Sequence, residues 1–360
     1  MKSARTLYVA ISSHGYGHVA QTAPVLNELH RRIPDLNLVV ESAVPRAHLE
    51  SRITAPFEHV SVATDFGMVM HDALTVDVPA SEARYLEFHR GLDVAIQDAR
   101  DRMRAHAPDL LFSNIPYVPI RAAHELGVPC VAMSSLNWAD ILAPVVAPSP
   151  DMRCVVDDMR AAYRLASSFL VLEPGMAMSW LANARPIGPV AAVGGMRRDE
   201  LRSQVPVHDA TRVVLVSMGG IATELDVANW PSIPAIHWII AGQAGIERPD
   251  VTALDEIAMP YLDVLASCDA MVTKPGYGAF VEAVCAGVPV AYISREQWPE
   301  TPCLTGWLES HARAAEIGKS ALFDHRLGEA LERLWRLPAC SPVVPTGIHE
   351  AVSVLEALLQ

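Results

Sequence analysis

Short apolar runs alternate with amphipathic stretches along the whole chain, which is the pattern of β-α units in a parallel sheet. The runs that predict strands are 7–11, 36–40, 57–62, 110–113, 128–133, 213–217, 236–240, 270–272 and 288–293. Helical spacing of apolar residues predicts helices that include 85–104, 120–126, 259–266, 279–286, 304–310, 327–335 and 348–359. Both halves share this rhythm, so we expect an α/β protein with two Rossmann-like domains facing a central cleft.

The stiff segment Pro186-Ile-Gly-Pro-Val190 predicts a hinge between the two domains. A chain of 360 residues also exceeds the roughly 250–300 residues that one core usually supports. We therefore expect a first domain at 1–188 and a second at 189–345. The amphipathic stretch 346–360 is expected to form a helix that packs back on the first domain.

The composition favours a compact globular protein and argues against a nucleic-acid-binding protein. With 51% hydrophobic and 19% charged residues, the chain is expected to be compact and globular. A net charge of −13 argues against nucleic-acid binding, which needs a basic face. The six cysteines form no Cys-x-x-Cys pair, and Cys130 and Cys285 are expected to be buried core thiols, which fits a reducing cytoplasm. Because no apolar run reaches the length of a membrane span, we expect a soluble cytoplasmic protein.

The most informative motif is the glycine-rich loop Lys274-Pro-Gly-Tyr-Gly278, which follows a predicted strand and precedes a predicted helix. Gly276 and Gly278 carry no Cβ, so a ligand can approach the backbone closely. The N-terminus of the helix favours an anion such as a phosphate, and Glu282 lies one turn further on, where it can bind sugar hydroxyls. This arrangement indicates a nucleotide or nucleotide-sugar site. The alternative is an ordinary strand-to-helix connection that binds nothing.

Glycine-bearing loops also follow the first predicted strand of each half, at Ser12–His18 and Ser217–Gly220. Ligands of open α/β sheets bind at the carboxyl ends of the strands, so these loops are expected to surround one cleft. The spacing after the first strand, Gly15-Tyr-Gly17 followed by His-Val-Ala, lacks the Gly-x-Gly-x-x-Gly pattern of NAD-dependent dehydrogenases.

With these motifs, the chain resembles GT-B glycosyltransferases, and within them the family 28 type that includes the peptidoglycan lipid-intermediate N-acetylglucosaminyltransferase. It is more similar still to the glycosyltransferase-like N-terminal region of plant arabinose kinases. The resemblance covers nearly the whole chain and rests on His14–His18, Asp72–Asp77, Pro108–Asn114, Ser217–Gly220, Lys274–Pro289 and Arg295–Pro302.

The resemblance implies a nucleotide-sugar donor held mainly by the second domain, an acceptor held by the first, and neither a metal nor another cofactor. UDP- or dTDP-linked sugars are the expected donors. Glu282 is expected at the ribose, Ile257 and Ala258 at the base, and Arg295, Glu300 and Thr301 at the sugar. The other residues expected to bind the donor are Gly15, Gly17, Ser217, Gly219, Gly220, Lys274, Gly276, Tyr277 and Gly278.

His18 is the candidate general base, because histidine titrates near neutral pH and can accept a proton from a hydroxyl. Pro24 suggests that a helix begins near Thr22, which would leave the His18 ring at the rim of the cleft. His14 is the rival base. Either histidine could instead brace the turn or bind phosphate, whereas the glycines between them make a zinc site improbable.

Two residues of the first half are candidates for acceptor binding. Trp138 follows a predicted strand and could stack on an acceptor ring, although it could equally fill the core. Asn114 occupies a position where the relatives usually have an aspartate, so a base at that position is doubtful. Lys274 could stabilise a leaving diphosphate, or it could be a solvated loop residue.

These observations predict an inverting, metal-independent glycosyltransferase with a soluble acceptor. A nucleotide-sugar hydrolase on the same fold and a non-catalytic protein that binds sugar nucleotides are the alternatives. Whether the protein forms a homodimer is left open.

Overall fold

The computed structural model describes residues 5–220, 227, 230–243, 248–295 and 297–360. The elements of the first half are β1 (Thr6–Ile11), α1 (Gly17–Arg32), β2 (Asn37–Glu41), α2 (Arg46–Arg52), β3 (Glu58–Val60), α3 (Val78–Arg90), α4 (Leu92–His106), β4 (Leu110–Asn114), α5 (Tyr117–Leu126), β5 (Cys130–Ser134), α6 (Trp138–Leu142), α7 (Pro150–Arg164), β6 (Ser168–Leu172) and β7 (Ala184–Ile187).

The second half follows the same alternation. Its elements are α8 (Arg198–Ser203), β8 (Arg212–Ser217), β9 (Ile236–Ile240), β10 (Val251–Ala253), α9 (Tyr261–Ser267), β11 (Ala270–Thr273), α10 (Tyr277–Cys285), β12 (Val290–Tyr292), α11 (Thr301–His311), β13 (Ala314–Glu316), α12 (Arg326–Arg336) and α13 (Gly347–Leu359), with short 3-10 turns at Leu254–Glu256 and Lys319–Phe323.

Each half is built on its own parallel sheet. Within the described residues, the first sheet has seven strands in the order β3-β2-β1-β4-β5-β6-β7, and the second has six in the order β10-β9-β8-β11-β12-β13. In both sheets the first strand of the half pairs in parallel with a neighbour on either side. This confirms the α/β architecture of two Rossmann-like units, and every strand that the apolar pattern predicted is present.

The pattern missed β6, β7, β10 and β13. All but β6 are strands of three or four residues that close or extend an edge of a sheet. The segment expected as a hinge, 186–190, begins inside β7, whose Pro186 is tolerated because an edge strand needs fewer backbone donors. The single helix expected over 85–104 is two helices, α3 and α4, separated at Gly91.

The two halves share a continuous apolar core. Leu29 of α1, Val281 of α10 and Leu355 of α13 are fully buried in the same cluster. The two halves approach closely between α10 and α1, where a Cβ added to Gly278 would lie 2.9 Å from the Cβ of Ala20. This packing brings the glycine loops that precede the two helices next to each other.

Candidate functional site

His18 lies in the first turn of α1, which begins at Gly17 and not near Thr22. Pro24 is inside the helix, so the expectation that it marks the first turn is wrong. The His18 ring is consequently buried, with 5% of the residue exposed, and does not lie at the rim of a cleft. Its Nδ1 is 2.8 Å from Oδ1 of Asn114, and burial lowers its pKa to about 4.

His14 lies beside it, in the loop that connects β1 to α1. Its Nδ1 donates to the carbonyl oxygen of Phe66 over 3.2 Å, and its ring stacks on Trp298 with centroids 5.6 Å apart. Burial, helped by the charge of Arg295, lowers the His14 pKa to about 3. The ring is therefore neutral at pH 7, and the Nε2 lone pair is buried without a hydrogen-bond partner in the described part of the chain.

A continuous chain of hydrogen bonds leads from His18 to the second half. Asn114 Nδ2 donates to Gln21 Oε1 (3.0 Å), Gln21 Nε2 donates to Ser135 Oγ (2.9 Å), and Ser135 Oγ donates to Glu300 Oε1 (2.6 Å). All five side chains are buried. Sequence reasoning missed Gln21 and Ser135; the available signals were the position of Gln21 three residues after His18 and that of Ser135 directly after β5.

The carboxylate of Glu300 lies in a pocket of aromatic and cationic groups. Its Oε2 accepts from Trp298 Nε1 over 3.1 Å, and the Arg295 guanidinium lies 4.1 Å from the centre of the Trp298 ring. Burial raises the pKa of Glu300, which the charges of Arg295 and Lys274 oppose. Arg295 Nε and the neighbouring Thr301 Oγ1 are buried without a hydrogen-bond partner among the described residues. The structure therefore brings these predicted sugar contacts together.

Lys274 lies across two glycine loops. Its Nζ is 3.7 Å from the position of a Cβ on Gly219 and 3.9 Å from that on Gly276, so a larger residue at either position would contact the amine. Gly219 also has a φ of +81°, which favours glycine. Burial, followed by the charge of Arg295, lowers the Lys274 pKa to about 7. No carboxylate of the described residues forms an ion pair with it.

Glu282 does not face an open cleft. Its carboxylate forms a salt bridge with Arg52, the last residue of α2, and the two side chains are only 4% and 10% exposed. The Arg52 guanidinium also lies 5.9 Å from the centre of the Tyr261 ring. The predicted ribose ligand is thus engaged by the first half of the protein in this structure.

Other loop residues are covered as well. A Cβ on Gly220 would lie 2.5 Å from the ring of Tyr16, which stacks on His48 with centroids 3.7 Å apart. Gly15 adopts a φ of +74° in the turn before α1. The Tyr277 hydroxyl accepts from Val190 N and donates to the carbonyl of Glu173, so this side chain points to the connection between the halves.

The segment expected at the base is partly engaged. Ile257 N–H donates to the carbonyl of Leu254, and Ala258 N–H donates to the side chain of Gln204 over 2.7 Å. A nucleobase would therefore find both of these amide donors occupied.

Trp138 is fully buried, and its indole Nε1 donates to Asp65 Oδ2 over 2.7 Å. It fills the core, so the expectation that it stacks on an acceptor is wrong. Asp65, which no sequence pattern indicated, also accepts from Ser12 Oγ over 2.9 Å, and burial raises its pKa to about 6. Next to it is a cavity of about 270 Å³ whose lining includes Phe66 and Phe88.

Two negative findings concern the described residues alone. They contain no group of three or more His, Cys, Asp or Glu side chains placed to hold a metal ion. None of their helices is both long enough and apolar enough to cross a membrane.

The sequence is similar to that of a known protein, although not to any protein-family model. No protein-family model matches the chain. Over 338 residues, 92% of this chain, it is 25% identical to the L-arabinokinase of Arabidopsis thaliana, and it spans about a third of the length of that protein, 32%.

Several solved structures superpose over nearly the entire chain. The calicheamicin glycosyltransferase CalG4 gives a TM-score of 0.68 at 18% identity, covering 99% of this chain and 98% of its own. LpCGTa in complex with UDP gives 0.62 at 15% identity, covering 99% and 100%. A Listeria monocytogenes protein described as a putative UDP-N-acetylglucosamine 2-epimerase gives 0.55 at 11% identity, covering 99% and 96%. The chain thus has the GT-B fold of the glycosyltransferases.

Proposed function

We propose that this protein is a metal-independent glycosyltransferase that moves a sugar from a UDP- or dTDP-linked donor to a hydroxyl of a soluble acceptor, with inversion at the anomeric carbon. The observation that carries the proposal is the position of Lys274 and Arg295. Both have no ion-pair partner among the described residues, and both act on the neutral ring of His14, which lies beside His18. Lys274 also lies next to the glycine loops.

A diphosphate leaving group fits the cationic part of this site. Lys274 Nζ lies over Gly219 and Gly276, where the amides of two loops can also face a phosphate. When the bond between the anomeric carbon and the diphosphate oxygen breaks, the negative charge develops beside this amine. Fixed cations in a buried site then supply the charge stabilisation that a metal ion supplies in other enzymes.

The acceptor hydroxyl must lose a proton as its oxygen attacks the anomeric carbon. His18 is suited to accept that proton, because its Nδ1 hydrogen is held by Asn114 and the Nε2 lone pair remains available. In a single displacement the proton moves to Nε2, the new C–O bond forms, and the nucleoside diphosphate departs. The cavity beside Asp65, lined by Phe66 and Phe88, is the proposed acceptor entrance.

Glu282 can bind the ribose of the donor only after Arg52 releases it. The salt bridge between Arg52 and Glu282 supports a proposal in which this arrangement is closed and the first half covers part of the proposed donor site. We propose that donor binding separates this pair. A cytoplasmic location, the absence of nucleic-acid partners and the possibility of a homodimer rest on sequence alone.

The test begins with a thermal-shift panel of UDP, dTDP, GDP and ADP, because a ligand that binds only the folded protein raises its Tm. Turnover of the matching nucleotide sugars is then measured with and without a panel of soluble hydroxyl acceptors. Acceptor-dependent release of UDP or dTDP is the expected result. Equal turnover without acceptor would indicate a hydrolase, and binding without any turnover would indicate a non-catalytic protein.

His18→Ala is the decisive variant. Loss of a general base is expected to lower kcat by about 10²- to 10⁴-fold while the Tm shift with UDP persists. His124→Ala, which removes an exposed histidine from α5, is the matched control and is expected to keep full turnover. Unchanged turnover in His18→Ala would remove His18 from the mechanism.

A further inference from the structure

In the hydrogen-bond chain between His18 and Glu300, the donor and the acceptor of every bond follow from the carboxylate at the Glu300 end. An ionised carboxylate can only accept hydrogen bonds, so Ser135 must donate its single hydroxyl proton to Glu300. Ser135 Oγ must then accept from Gln21 Nε2, and Gln21 Oε1 must accept from Asn114 Nδ2. The oxygen of the Asn114 amide is thereby turned towards the histidine.

That orientation determines the tautomer of His18. Because Oδ1 of Asn114 accepts, His18 must carry its proton on Nδ1, and Nε2 keeps the lone pair that a base needs. An aspartate would impose this tautomer unaided, since both of its oxygens accept. An asparagine does not, because the reversed amide would donate to Nδ1 and place the histidine proton on Nε2.

We propose that Glu300, in the second half of the protein, is a positioning residue that selects the reactive tautomer of His18 through Ser135, Gln21 and Asn114. The inference rests on the proposed function in that His18 is taken as the base. It gives Glu300 a role at the base in addition to the donor contact predicted from sequence. It also ties the base to closure of the two halves, because the bond between Ser135 and Glu300 crosses between them.

Burial raises the pKa of Glu300, and the hydrogen bonds from Ser135 and Trp298 oppose that rise by holding the carboxylate as an acceptor. The second carboxylate oxygen accepts from Trp298 Nε1, which can only donate, and the charges of Arg295 and Lys274 favour the anion. Each carboxylate oxygen is thus matched to one donor. In a buried network, reversing one bond forces the next to reverse, because two facing acceptors or two facing donors are costly.

Glu300→Gln is the sharpest test because it keeps the shape of the side chain. Trp298 Nε1 needs an acceptor, so the introduced amide oxygen will face Trp298 and the amide nitrogen will face Ser135. Ser135 then accepts from the new amide, and its hydroxyl proton, which Glu300 no longer takes, finds an acceptor only if the Gln21 amide turns its oxygen towards Ser135. We therefore expect the whole chain to reverse. His18 is expected to change from the Nδ1-protonated to the Nε2-protonated tautomer.

The tautomer is read directly by ¹⁵N NMR of protein labelled at histidine, with the His18 signals assigned from the His18→Ala spectrum. The wild-type protein is expected to show Nδ1 protonated and Glu300→Gln to show Nε2 protonated. The kcat is expected to fall by up to roughly 10⁴-fold, the loss that a wrong histidine tautomer causes in a comparable site. Ser135→Ala, which interrupts the chain, is expected to give a mixture of tautomers.

A double-mutant cycle separates positioning from donor binding. Asn114→Asp supplies an acceptor to His18 whatever the direction of the chain, and the reversed chain then satisfies every group. Combined with Asn114→Asp, Glu300→Gln is therefore expected to be harmless or beneficial, whereas in the otherwise wild-type protein it is harmful. A donor-binding role alone predicts a higher KM for the nucleotide sugar in both backgrounds.

An unchanged Nδ1-protonated tautomer in folded Glu300→Gln would overturn the proposal, as would the absence of rescue by Asn114→Asp. The NMR result does not depend on turnover. If the tautomer changes as expected but the wild-type protein transfers no sugar, the proposed function fails and the inferred role of the chain stands.

Discussion

The two halves of the protein meet at two clusters of charge that are arranged in opposite ways. At one, Arg52 and Glu282 are buried as a salt bridge, so each charge has its counter-charge. At the other, Lys274 and Arg295 lie near each other with no ion pair among the described residues, and Glu300 accepts hydrogen bonds from neutral groups. The first cluster holds protein to protein, and the second is suited to an anion that comes from outside.

The difference has an energetic basis. A buried ion pair offsets part of its desolvation: burial raises the pKa of Glu282, and the charge of Arg52 opposes that rise. Removing one partner leaves the other charge uncompensated. Cations without a counter-charge, such as the buried Arg295 and the half-buried Lys274, instead lower the stability of the protein, and a bound anion recovers that loss. The lowered pKa values of Lys274 and Arg295, about 7 and about 10, reflect this cost of burial.

The largest expected effect comes from breaking the salt bridge between Arg52 and Glu282. Arg52→Met leaves the Glu282 carboxylate buried without a counter-charge, so the free energy of unfolding is expected to fall by about 3–5 kcal/mol. Urea denaturation at pH 7 measures it. Because Glu282 is released, the variant is also expected to bind UDP more tightly than the wild-type protein when it is folded.

The control is Arg46→Met, which removes an exposed ion pair with Glu50 from the same helix and should have only a small effect. Adding Glu282→Gln to Arg52→Met should restore most of the lost stability, because the neutral amide is cheaper to bury. Equal losses in Arg52→Met and Arg46→Met would show that the buried pair does not hold the halves together.

Some residues of the two charge clusters could be predicted from the sequence, and others could not. The Lys274 loop was predicted to lie at the site because it follows a strand whose carboxyl end faces the cleft, whereas Arg295, Glu300 and Thr301 were placed there by the family resemblance. The partner of Glu282 could not be predicted, since Arg52 lies 230 residues away on a short helix with no motif.

Local signals also misled the prediction in places. Pro24 suggested the start of a helix, but α1 accommodates it in its interior, so His18 was assigned to a loop. Trp138 follows a strand, as a ligand-binding aromatic would, yet it pairs with Asp65 in the core. Composition and spacing do not reveal which buried polar groups find each other across a fold.

Lys274 is expected to take up a proton when the protein binds UDP. Free Lys274, with a pKa of about 7, is mostly neutral at pH 8.5, whereas a bound diphosphate favours its charged form. Binding of UDP at pH 8.5 is therefore expected to take up nearly one proton, and affinity should fall as pH rises above 7. Calorimetry in buffers with different ionisation enthalpies measures the uptake.

Lys274→Met should abolish the proton uptake and weaken UDP binding by about 1.5–3 kcal/mol, the value of a charge-assisted hydrogen bond. Lys319→Met, in an exposed 3-10 turn, is the matched control and should bind UDP normally with full uptake. The same shift affects stability: unfolded lysine binds the proton up to about pH 10.5, so the free energy of unfolding should rise between pH 7 and that value. Proton uptake that persists in Lys274→Met would assign it to another group.

The smallest expected effect concerns the close approach of α10 to α1 at Gly278. A Cβ on Gly278 would lie 2.9 Å from the Cβ of Ala20, so Gly278→Ala must push α10 away from α1. Overpacking of this kind costs about 1–3 kcal/mol, which urea denaturation detects. Gly17→Ala is the matched control, because nothing lies within 4 Å of its added Cβ and it stands at the start of α1.

The reciprocal exchange decides whether the contact or the glycine itself matters. Combining Gly278→Ala with Ala20→Gly moves the methyl group to the other helix and restores the space. If close packing aligns the halves, the double variant should recover more stability than Ala20→Gly alone predicts, since a glycine inside α1 is otherwise unfavourable. If the stability losses of Gly278→Ala and Ala20→Gly simply add in the double variant, α1 and α10 adjust independently. The salt bridge between Arg52 and Glu282 alone then determines how the halves meet.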